Sequence, residues 1–178
     1  MKKAMGGIAL GAVLLASAPA WAEANALSVT QRVRIGAPAE RVWSYVGDFG
    51  GLARWFTLID GSRLVLRHRN EEGAIRELLR RNGTRVTEKL VEYDPWNMRI
   101  TYTYVDGMVM ASDYFSTMEV RPVGDGESEV VWTGRFTRLN YWEDPPPAGQ
   151  DDATLTDTYD RIYSAGLAAL KERVEGER

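Results

Sequence analysis

Two ionisable residues sit where strand patterning carries them toward an apolar face. Glu88 lies in Thr84–Tyr93, flanked at period two by Val86 and Leu90, so all three share one side of a strand. A carboxylate on an apolar face is costly unless it meets a partner or a ligand. A bulge or register shift would turn it to water instead. Arg76 lies in the preceding strand-like stretch, after Gly73. Facing inward, it would pair with Glu88 through charge-assisted hydrogen bonds. Facing outward, it would merely join Arg80, Arg81 and Arg85 in a basic surface. Were the chain an enzyme, Glu88 would be the candidate acid or base.

A second set is aromatic. Tyr102, Tyr104, Tyr114 and Trp132 fall in the middle of strand-like runs, and each has a polar tip that needs a hydrogen-bond partner. With Ser116 and Trp55 they suit a pocket that stacks a flat or apolar ligand and orients an oxygen or two. Met108 and Met110 precede the sixth strand, where flexible thioethers adapt to whatever docks. The chain has no cysteine and one histidine, His68, so thiolate chemistry, disulfides and His-based metal sites are excluded. It carries no G-x-S-x-G elbow, phosphate-binding glycine loop or H-E-x-x-H helix, so no cofactor is expected.

The elements that must position these residues are legible. Leu27–Ile35 alternates as a strand. Pro38 suits a first helical position, and Val42, Trp43 and Val46 follow at helical spacing. Asp48 is placed to cap a second short segment carrying Leu52, Trp55 and Phe56. Six strands come next: 61–69, 74–80, 84–93, 98–105, 112–121 and 129–139. Turns at Asn82-Gly83, Asp94-Pro95 and within 122–128 separate the later ones. From Asp151 or Asp152 to about Val174, apolar residues recur at steps of three and four, which predicts one long amphipathic helix. Seven strands and that helix predict an α+β fold with a curved antiparallel sheet.

The first 22 residues read as an export signal: Lys2 and Lys3, an apolar run, then Ala20-Trp21-Ala22. Cleavage after Ala22 would leave 156 of the 178 residues as one domain, 23–178, and move the formal charge from −3 to −5. A mildly acidic domain of this kind is a poor nucleic-acid binder. A periplasmic or secreted bacterial protein is expected, with no membrane span once the signal is removed.

The stretch Ile35–Phe56, IGAPAERVWSYVGDFGGLARWF, resembles the opening of the START-like, helix-grip superfamily (SRPBCC), which includes polyketide cyclases/dehydratases and lipid-transport proteins. The resemblance implies a sheet wrapped around the C-terminal helix with a cavity between them. It also implies that a Glu like Glu88 lines that cavity and that Arg76 matches a frequent family arginine. Val46–Trp55, Gly73–Arg76 and Val86–Leu90, together with the signal, are similar to the exported MxaD-like branch. That branch implies an accessory to a periplasmic quinoprotein (methanol-type) dehydrogenase or its cytochrome. The leading expectation is a binding protein for a small apolar or aromatic ligand. The alternatives are a cyclase or dehydratase-like enzyme and a lipid carrier.

Overall fold

The computed structural model describes residues 26–140 and 142–177. The expected export signal lies outside them. The chain runs β1 (Leu27–Ile35), α1 (Ala39–Val46), a 3-10 helix (Phe49–Arg54), β2 (Ile59–Leu66), β3 (Ile75–Arg80), β4 (Arg85–Asp94), β5 (Arg99–Gly107), β6 (Ala111–Gly124), β7 (Glu127–Arg138) and α2 (Asp152–Gly176). The strands form one antiparallel sheet in the order β1-β7-β6-β5-β4-β3-β2. Every neighbour except β1–β7 is also consecutive in sequence, as hairpin-length turns require. The sheet is curved and open, and α2 lies along its inner face: the helix-grip architecture. Among the described residues no helix is long and apolar enough to cross a membrane.

The long helix forms because its apolar stripe is buried. Leu155, Tyr159, Tyr163, Gly166, Leu167, Leu170 and Val174 all face the core. Asp151 caps it, accepting from the Thr154 N–H at 2.8 Å. Two inner-face glycines set how closely it approaches. A Cβ on Gly166 would meet Trp132 Cζ3 at 2.5 Å, and one on Gly134 would collide with the Tyr163 hydroxyl. Both positions are glycine because an aromatic ring occupies the space.

Several local expectations are corrected. Asp48 sits at the start of the 3-10 helix but makes no capping bond; its carboxylate accepts from Arg54 at 2.9 Å. The Asn70 side chain accepts the Phe49 N–H instead. Trp43 is only partly buried and stacks on Tyr93, while Tyr45 takes the buried position in α1. The second strand begins at Ile59 and ends at Leu66, because the next residue, Arg67, has φ +53°, which no ladder accommodates. The turn after β6 is tighter than expected, with only Asp125-Gly126 between the strands.

One irregularity shapes the interior. In β6 the register shifts between Ser112 and Phe115, at Asp113 with φ +48°. Ala111 is buried, and a regular strand would next bury positions 113 and 115. The bulge changes the parity, so Tyr114, Ser116 and Met118 point inward and Phe115 points out. The Thr137 hydroxyl donates to Asp113 Oδ2 at 2.9 Å across the bulge.

Candidate functional site: an aromatic cavity between sheet and helix

A cavity of about 450 Å³ separates the sheet from α2. That volume lies within the range of small-molecule sites. Its inner wall combines Trp132 from β7, Tyr114 from β6, Val86 and Glu88 from β4, and Tyr163 from α2. Leu52 and Phe56 close one side, from the 3-10 helix and the residues after it. The exposed residues Leu58, Arg81 and Asn82 mark the mouth.

Glu88 and Arg76 face each other directly across β3 and β4. Both point inward, and both are nearly inaccessible, at 4% and 2% of full exposure. Arg76 Nε donates to Glu88 Oε2 at 2.7 Å, and Nη2 lies 2.6 Å from the same oxygen in an ion pair. Its Nη1 donates to the Phe49 carbonyl at 2.9 Å. The guanidinium lies between the rings of Phe49 and Tyr102, 4.2 and 4.7 Å from their centroids. Such a pair needs this number of partners, since desolvating two ions otherwise outweighs their attraction. Both contacts with the carboxylate fall on Oε2, which leaves Oε1 as an acceptor. Glu88 itself borders the cavity, whereas Arg76 stands behind it.

The tyrosines form two hydroxyl clusters. In the deep one, Trp132 Nε1 donates to Ser116 Oγ at 2.8 Å. Ser116 and Tyr163 are bonded at 3.1 Å, and Tyr163 and Tyr114 at 3.0 Å. Three hydroxyl hydrogens serve two oxygen–oxygen bonds, so one remains to donate elsewhere. In the outer cluster Tyr104 and Tyr159 share one bond at 3.1 Å, again with a hydrogen to spare. The rings also pack on one another: Tyr104 stacks on Tyr114 at 4.0 Å and Trp132 on Tyr163 at 4.4 Å.

Burial pushes all five phenols away from ionisation. Tyr102 is raised to about 12, by desolvation first and the Glu88 charge second. Tyr104 is raised by the same two causes in the same order. Tyr114, Tyr159 and Tyr163 lie well above their ordinary value, chiefly through desolvation. At neutral pH each is a neutral O–H group, suited to orienting a ligand oxygen rather than to removing a proton.

Of the eight ligand-site residues expected from sequence, Glu88, Tyr104, Tyr114 and Trp132 border the cavity. Ser116 and Tyr102 lie one layer back. Ser116 holds the Trp132 indole, and Tyr102 packs against Phe49, Tyr114 and the Arg76 guanidinium. Trp55 borders a shallower groove along the end of α2. Its buried indole N–H has no hydrogen-bond partner, and its ring packs on Phe56 and Trp132. Met110 lies at the cavity and Met108 is exposed outside it. Tyr159 and Tyr163 also border the cavity, from the helix stripe, and neither was among the expected site residues. The available signal was two hydroxyl-bearing rings at i and i+4 on an otherwise aliphatic stripe. Among the described residues no cluster of three or more His, Cys, Asp or Glu side chains is arranged to hold a metal.

A curved antiparallel sheet gripping a helix over an aromatic-walled cavity defines the helix-grip class. The family model described as polyketide cyclase/dehydrase and lipid transport matches residues 26–175, and the chain belongs to that family. No curated protein matches it. Among solved structures it is similar to an uncharacterized protein from Bacillus thuringiensis: 26% identity, 84% of this chain and 99% of that one, TM-score 0.71. It is likewise similar to the protein XoxI from Bacillus cereus: 26% identity, 83% and 95% coverage, TM-score 0.71. The ZhuI aromatase/cyclase from Streptomyces sp. R1128 shares the fold at 19% identity, with 84% and 94% coverage and a TM-score of 0.69.

Proposed function

We propose that this chain is a non-enzymatic binding protein that encloses one small apolar or aromatic molecule between sheet and helix. The carrying observation is the cavity itself: about 450 Å³, walled by stacked aromatics. Its one inner carboxylate is already engaged by Arg76. In this reading Trp132, Tyr114 and Tyr104 contact the ligand, and Glu88 Oε1 accepts from any donor it carries. Arg76, Tyr102, Ser116 and Trp55 hold those groups in place.

The setting belongs to the same proposal. The protein is exported to the periplasm, is cleaved after Ala22, and serves a quinoprotein dehydrogenase or its cytochrome, as the MxaD-like resemblance implies. Native mass spectrometry of the protein purified from periplasm tests all three parts. The expected results are a chain starting at Glu23, a bound small molecule, and a dehydrogenase or cytochrome in the captured complex. An unprocessed chain would remove the setting. An empty chain that binds no apolar or aromatic probe would remove the function, and recovery of a membrane lipid would point to a carrier.

A cyclase-like enzyme is the second reading. It is favoured by Glu88 lying on the cavity wall and by the shared fold with an aromatase/cyclase. There Glu88 would move the proton. Glu88→Gln should then abolish turnover of a polyketide-like substrate, and unchanged turnover would clear Glu88 of any such part.

A further inference from the structure

One cation in this cavity has no anion. Arg80 continues the inward face of β3 two residues beyond Leu78, and it borders the cavity at its outer end. No carboxylate of the described residues lies within 4.0 Å of its guanidinium, whereas Arg76, Arg81 and Arg85 each have one, in Glu88, Asp60 and Glu77. Arg80 Nη1 donates to the Met108 carbonyl at 2.7 Å. A guanidinium has five N–H donors, so Nε and Nη2 remain free as a planar fork. The Tyr104–Tyr159 hydroxyl pair, with its spare hydrogen, lines the same cavity.

We propose that the ligand is an amphipathic carboxylate. Its apolar body lies against Trp132 and Tyr114, and its carboxylate is held at the outer end by the Arg80 fork and the Tyr104–Tyr159 hydroxyls. This rests on the binding reading above and names the ligand's chemistry. Three features select a carboxylate over a neutral polar group. The fork matches two coplanar oxygens. The spare hydroxyl hydrogen is a third donor for the same group. A cation facing an apolar cavity without a counterion gains most from an anionic partner. Glu88, opposite Tyr104 across β4 and β5, is already paired with Arg76, so the anionic head belongs at Arg80, whose partner is a neutral carbonyl.

The test compares each acid with an uncharged counterpart. The probes are 2-naphthoate against its methyl ester and decanoate against decanol, followed by calorimetry and tryptophan fluorescence at pH 8. Each acid is expected to bind about tenfold to a hundredfold more tightly than its neutral counterpart. Preference in only one pair equally supports the carboxylate and assigns the body as aromatic or alkyl. Arg80→Met should bring the acid-to-neutral ratio near one, and Arg80→Lys should keep part of it. Arg85→Met, which removes a nearby cation outside the cavity, should leave the ratio intact. Neutral probes binding as tightly as acids would overturn the proposal while sparing the cavity reading. So would a preference that survives Arg80→Met or is lost equally in Arg85→Met. Binding of none of the four probes would overturn both.

Discussion

Arg76 and Arg80 lie four residues apart on the same face of the same strand, and they do opposite things. Arg76 is sealed between two rings, donates to a backbone carbonyl, and is neutralised by Glu88. Arg80 stands at the outer end of the cavity that Tyr104 and Tyr159 also line, and among the described residues its partner is a neutral carbonyl. The lesson is that residue type and strand parity do not distinguish a structural cation from a recognition cation. What distinguishes them is whether the fold itself supplies the counterion.

The sealed side of this contrast is the more costly to disturb. Glu88→Leu leaves Arg76 buried and uncompensated, and should lower unfolding free energy by about 3–5 kcal/mol, measured by denaturant titration. The double change Arg76→Met with Glu88→Leu should recover most of that loss, because the charge is removed along with its partner. A double variant as unstable as the single one would show that the pair's shape, not its charge balance, matters.

Alkaline pH probes the five phenols in and around the cavity. Their folded-state values are raised, so their contribution is fully present below about pH 10 and is lost as pH rises above it. For Tyr102 that window extends to about 12. Ultraviolet titration should show these five ionising only as the protein unfolds, together with the loss of near-ultraviolet circular dichroism. Separate ionisation in a folded protein would mean that the cavity is wetter than its geometry indicates.

A smaller effect is expected where helix meets sheet. Gly166→Ala drives a methyl against Trp132 and should cost about 1–3 kcal/mol, read as a lower melting temperature. It should also weaken probe binding by displacing the Trp132 wall. Smallest of all, Arg80→Met should change stability by no more than about 0.5 kcal/mol. A loss as large as that of Glu88→Leu would make Arg80 a structural residue after all.

Much of the fold could be read from local pattern. The stripe from Leu155 to Val174 has helical period, and the alternation around Val86, Glu88 and Leu90 has strand period. Both survive in the structure because each buries one continuous face. The pairing of Arg76 with Glu88 was legible as a possibility, since both lie on inward positions of neighbouring strands. Its reality depended on register, and the ladder places them opposite each other. The inward position of Tyr114 rests on less regular ground. It requires the bulge at Asp113, and Asp113 carries no local mark of it; the Thr137 contact is 24 residues away. The roles of Tyr159 and Tyr163 were hidden for a related reason. A helix stripe shows which residues face inward but not whether they meet a packed wall or an opening.

Residue order alone was enough to set the sequence of elements, the buried faces of β4 and α2, and the absence of thiol chemistry, since these follow from period and composition. Where the cavity lies, which hydroxyls meet, and which arginine lacks a carboxylate were settled by strand register, a bulge and two glycine contacts. Those depend on groups distant in sequence coming within a few ångströms of one another, and local pattern does not encode such distances.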